Sequence, residues 1–89
     1  MIMKKAIIYT RGYNEERQIE QCNQYAAAAG YNVIAVKTNG ENIDAILKEY
    51  EFDVLLVATA SRVTRSYVEY LEIEYMMNVC NVELVIVQK

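Results

Sequence analysis

Arginine is the residue type in this chain whose placement could do chemistry. Arg62 and Arg65 follow an apolar run that opens at Asp53 and reads Val54, Leu55, Leu56, Val57, Ala58, and Arg11 follows a second run, Ala6, Ile7, Ile8, Tyr9. Such near-continuous runs are what strands covered on both faces require. In parallel α/β sheets, ligands bind just outside the carboxyl ends of the strands. Each guanidinium offers a rigid fork of donors and cannot be deprotonated, so Arg11, Arg62 and Arg65 at one crevice would make a phosphate or other oxyanion site. The alternative is that each pairs with a surface carboxylate, an arrangement worth little.

Whether the arginines meet depends on the elements that carry them. Residues 4–10 read as a strand that stops at Arg11-Gly12, where glycine permits a tight exit. Asn14 is placed to cap a helix, Glu15 and Glu16 suit its first turn, and Ile19, Cys22, Ala26 and Ala29 recur at helical spacing until Gly30. Residues 31–36 alternate as a second strand, and Thr38-Asn39-Gly40 is turn chemistry. Ile43, Ile46, Leu47 and Tyr50 form the apolar face of a short helix that leads into the strand at Asp53. Ser66 to Glu69 is a capping box that starts a further helix at Tyr67, running to about Val79, and residues 82–87 are the last strand. Strand and helix thus alternate without proline, linker or repeat. The expected fold is a three-layer α/β/α domain over residues 1–89, with a four-stranded parallel sheet of order 2-1-3-4. Strands one and three then lie side by side with their following helices on opposite faces, bringing Arg11 and the 61–65 loop to the switch point.

Composition narrows the chemistry. With 89 residues there is room for one core and one function. The net charge of -3 opposes a free-standing nucleic-acid binder, so any DNA contact is expected to be weak or made through a partner. Histidine is absent, which removes Ser-His-Asp and Cys-His nucleophiles. Cys22 and Cys80 alone cannot make a structural zinc site and read as two small buried thiols; no metal and no cofactor is expected. The start, Met1 to Lys5 followed by one short apolar run, is neither a signal peptide nor a membrane span, which points to the cytoplasm.

The residues also carry a resemblance. Tyr9-Thr10-Arg11-Gly12-Tyr13 resembles the Tyr-x-Arg-Val-Ser signature that opens the catalytic domain of the resolvase and invertase family of serine recombinases. The strand from Asp53 and the loop Ser61-Arg62-Val63-Thr64-Arg65-Ser66 resemble that family's strand and Asp-Arg-Leu-x-Arg-Ser loop, and Gln21 falls where the family has a glutamine. The resemblance covers nearly the whole chain and implies a resolvase-like fold. It also implies a serine that attacks a DNA phosphodiester while arginines stabilise the phosphoryl charge, roles that would fall to Arg11, Arg62 and Arg65. The chain departs from the pattern at the nucleophile, where Tyr13 stands, and at the acid before the arginine pair, where Ser61 stands. The family's segment and arginine after strand two, its long helix after the last strand and its DNA-binding domain are expected to have no counterpart here.

These departures lead to the expectation of a catalytically silent recombinase-like protein of a mobile element or phage. It would act by association with itself or with a full-length serine recombinase. Residual phosphoryl-transfer, nucleotide or DNA-phosphate binding at the arginine crevice is the alternative. Self-association is expected through the helix that starts at Tyr67. Val68, Leu71, Tyr75 and Val79 would cover the sheet, leaving Tyr70, Ile73 and Met77 as an outward interface.

Overall fold

The apolar runs become strands and the periodic segments become helices. Their order is β1 (Lys5–Tyr9), α1 (Glu15–Ala29), β2 (Asn32–Lys37), α2 (Ile43–Glu49), β3 (Val54–Val57), α3 (Tyr67–Val79) and β4 (Glu83–Ile86). The structure is a computed structural model that describes residues 3–38, 42–59 and 66–88. All strands pair in parallel in the order β2-β1-β3-β4.

Side-chain alternation along the two central strands divides the core. Ile7 and Tyr9 of β1 and Leu55 and Val57 of β3 face one side, where Ile43 and Ile46 of α2 and Met77 of α3 cover them. Ala6, Ile8, Val54 and Leu56 face the other side, where Cys22 and Ala26 of α1 lie. Helices α1 and α3 therefore sit on opposite faces, as a right-handed doubly wound connection requires. Asp53 ties the two central strands at their start: its Oδ2 accepts from the Lys5 N–H at 2.9 Å, and its own N–H donates to the Lys5 carbonyl at 2.9 Å.

The edge strand β2 carries a bulge, because Ala6 pairs with Val33 but Ile7 pairs with Ala35. Ile34 is the extra residue, and an irregular, twisted edge pairs poorly with a foreign strand. Gly30, at φ 79°, ends α1, and the Tyr31 N–H closes on the Ala26 carbonyl at 2.9 Å. Ser66 caps α3 as the capping box predicts, its Oγ accepting from the Glu69 N–H at 3.4 Å.

Two expectations about burial change. Cys22 is buried, and burial pushes its thiol up to about 11, but Cys80 is exposed at the end of α3 and both thiols are free. The larger change concerns the rotation of α3. Met77 is buried and Tyr70 and Ile73 pack against the same core, whereas Val68, Leu71, Tyr75 and Val79 are exposed. The face expected outside is inside, and the stripe expected to cover the sheet meets solvent. At about 100° per residue the two groups lie on opposite sides of the helix, and both are apolar, so periodicity alone permits either rotation. Helix α3 shares its face of the sheet with α2 and leans on β4. Tyr70, Ile73 and Met77 are the side chains that α3 commits to the core it shares with α2. Partial burial, with Glu74 nearby, pushes the Tyr70 phenol up.

This assignment of faces is tested by paired truncations. Met77→Ala is expected to cost about 2–5 kcal/mol in urea unfolding, whereas Leu71→Ala should stay within about 0.5 kcal/mol of the parent. Equal losses would restore the opposite rotation.

Candidate functional site

The carboxyl ends of β1, β3 and β4 form the edge at which α1 begins. Thr10, fully buried, continues β1 by donating its N–H to the Lys37 carbonyl at 2.8 Å, and its hydroxyl donates to Glu15 Oε2 at 2.6 Å. The chain thereby grips the first turn of α1 before it has left the sheet. It then reverses through Gly12 at φ 85° and Asn14 at φ 57°. Asn14 holds the N-cap position of α1 in a left-handed conformation without a side-chain cap hydrogen bond, so it serves as a turn residue rather than the capping side chain expected from sequence.

Gln18 holds this turn. Its side chain is buried, its Nε2 donates to the carbonyls of Arg11 at 3.1 Å and Tyr13 at 2.7 Å, and its Oε1 accepts from the Arg11 N–H at 3.3 Å. A primary amide has the donors and the acceptor to satisfy all of these backbone groups at once. Sequence reasoning passed over Gln18 because it is polar, yet Gln18, Cys22 and Ala26 recur every four residues and are the buried positions of α1. A polar residue leading an otherwise buried stripe was the available signal.

Beside the brace lies an open cleft of about 210 Å³ lined by Asn14, Arg17, Gln18, Gln21, Ala58, Thr59 and Gln88. Gln21, half-buried, lines the cleft together with Gln18. Arg17, Thr59 and Gln88 join it without having been anticipated. Arg11 stands exposed at the end of β1, and Tyr13 extends into solvent with 84% of its surface exposed. Neither lines the cleft. Ser61, Arg62 and Arg65 lie outside the described residues. Among the described residues the lining supplies amide N–H groups, a hydroxyl and one guanidinium but no carboxylate, which suits an oxyanion. Among the described residues no cluster of His, Cys, Asp and Glu could hold a metal ion, and no helix is long and apolar enough to cross a membrane.

This architecture recurs in solved structures. The C-terminal catalytic domain of ISC1926 TnpA, an IS607-like serine recombinase, matches with a TM-score of 0.80 and 26% identity, over 96% of this chain and 70% of that one. The N-terminal catalytic domain of TP901-1 integrase matches with a TM-score of 0.83 and 23% identity, over 94% of this chain and 77% of that one. The fold is that of a serine-recombinase catalytic domain. No protein-family model and no curated protein sequence matches the chain. In this recombinase-like fold the end of β1 delivers Arg11 and Tyr13 to the same rim, and Gln18 fixes the backbone between them.

Removing the brace should loosen that rim. Gln18→Ala is expected to cost about 2 kcal/mol, because it strands partly buried carbonyls, and to speed hydrogen exchange at the Arg11 amide. Gln18→Glu, equal in size but without N–H donors when ionised, should cost at least as much. A neutral result for Gln18→Glu would deny the donor role.

Proposed function

We propose that this recombinase-like chain is catalytically silent and works in DNA recombination by association, either with its own copies or with an active site-specific recombinase of a mobile element or phage. The observation that carries this reading is Tyr13. It occupies the position at which the resemblance implies a serine nucleophile, and it points into solvent beside the cleft rather than into it. Phosphoryl transfer depends on in-line placement of the attacking oxygen. A phenol on a long rigid arm displaces that oxygen by several ångströms from where a serine hydroxyl would be. Ser61, at the position of the family's acid, offers a hydroxyl where a carboxylate is expected. The cytoplasm, where recombination substrates lie, fits this role.

A trapping assay decides the matter. With a nicked crossover-site duplex as suicide substrate, no covalent protein-DNA adduct is expected. An adduct that disappears in Tyr13→Phe would overturn the proposal.

A second reading is favoured by the cleft itself. Arg17 and the side-chain amides of the lining provide donors for a phosphate oxyanion, and Arg11, Arg62 and Arg65, if they converge there, would add to them. This residual DNA-phosphate or nucleotide binding needs no nucleophile. Titration with inorganic phosphate is expected to shift the side-chain resonances of Arg17, Gln18 and Gln21, and Arg17→Ala should abolish those shifts. If the wild-type resonances do not move, the oxyanion reading fails.

A further inference from the structure

Helix α3 presents an exposed stripe that the fold leaves without a partner among the described residues. Tyr67, Val68, Leu71, Tyr75 and Val79 are exposed by 76, 65, 45, 71 and 66% respectively. Together they offer on the order of 500 Å² of largely apolar surface, near the upper end of the ~300–600 Å² of the largest patch on a typical monomer. On the helical wheel, Glu72 borders one side of this stripe and Glu74 the other, and α3 contains no lysine or arginine. Both glutamates are exposed.

That charge pattern selects the occupant. An anionic membrane or a nucleic acid would meet repulsion from the carboxylates. A second copy packed symmetrically through the same stripe would bring the glutamate borders of both helices together, because a twofold interface pairs a surface with itself. Like charges along such a seam oppose association. The complementary surface is an amphipathic helix whose apolar stripe is bordered by lysine or arginine. The rings of Tyr67 and Tyr75 suit such a partner further, since cations stack on tyrosine faces and tyrosine is enriched at interfaces.

We propose that the exposed face of α3 is the docking surface for a basic-bordered amphipathic helix of another protein, not for a second α3. The proposal rests on the association reading above and names the chemistry of its partner. It also moves the contact from Tyr70, Ile73 and Met77, which pack inward, to Leu71 and its neighbours.

The chain can supply its own probe. A Glu72→Lys, Glu74→Lys double variant converts α3 into a basic-bordered amphipathic helix with the same apolar stripe. At tens of micromolar and low salt, sedimentation is expected to give monomers for wild type alone and a one-to-one complex when it is mixed with the variant. The complex should weaken at least tenfold on raising the salt several-fold, and Leu71→Glu in either chain should abolish it. Circular dichroism checks that each variant keeps its helices. A second probe, a synthetic helical peptide with a leucine stripe bordered by lysines, is expected to shift the Leu71 and Val79 methyl resonances, and its glutamate-bordered counterpart is not. Wild-type homodimers as tight as the mixed complex would overturn the proposal in favour of self-association. Folded chains that remain monomeric on mixing, together with a lysine-bordered peptide that shifts nothing, would overturn docking of this chemistry. None of these readouts involves DNA, so they fail or succeed independently of the trapping assay.

Discussion

The structure depends on the side-by-side burial of β1 and β3. Ala6, Ile7, Ile8, Val54, Leu55, Leu56 and Val57 are each fully buried, so the two strands must be covered from both faces at once. In a chain this short, that demand calls on all three helices. It sends α1 to one face and α2 and α3 to the other, and with parallel strands it gathers every strand exit at one edge. The cleft follows from that gathering. Its residues come from the start of α1 and from the ends of β3 and β4, segments far apart in sequence that meet only because the central strands run together.

Burial also explains why the rim at β1 is held by polar groups. Thr10 and Gln18 are the buried polar side chains among the described residues, and both have their hydrogen bonds made. Buried donors and acceptors are tolerated when satisfied and costly when they are not. Here they fix a reversed backbone segment that no regular ladder could hold, with Gly12 and Asn14 both at positive φ. The turn is thus a rigid mount for Arg11 and Tyr13. The residue at the tip of this mount is Tyr13, whose ring stands in solvent.

The opposite flank of the molecule poses a different balance. Helix α3 commits only a narrow row of side chains to the core, because α2 already occupies part of the same face. Its broader apolar arc meets solvent with a carboxylate on either border. Apolar area supplies the drive to associate, and the charge borders decide with whom. The cleft and the α3 face therefore act through separate physics. One offers donors to an anion; the other offers carboxylates and aromatic rings to a cationic, amphipathic helix.

Sequence by itself determined the alternation of elements, the parallel order with β1 beside β3, the capping of α3 by Ser66, and the placement of Arg11 at a strand exit. Those features rest on local causes: an unbroken apolar run, a hydroxyl three residues before a glutamate, a glycine where the chain must turn. Gln21 was singled out through the family resemblance alone, not through any periodicity of its own helix. The role of Gln18 was not legible, since its partners are backbone groups of Arg11 and Tyr13 that any sequence would present. Asn14 looked like a capping side chain because its residue type serves both caps and left-handed turns, and only the path out of β1 chose between them. The rotation of α3 was undecidable from its own residues, because Tyr70, Ile73 and Met77 and the stripe through Leu71 are comparably apolar. Tertiary structure decided it by packing α3 against α2 and β4 through Tyr70, Ile73 and Met77.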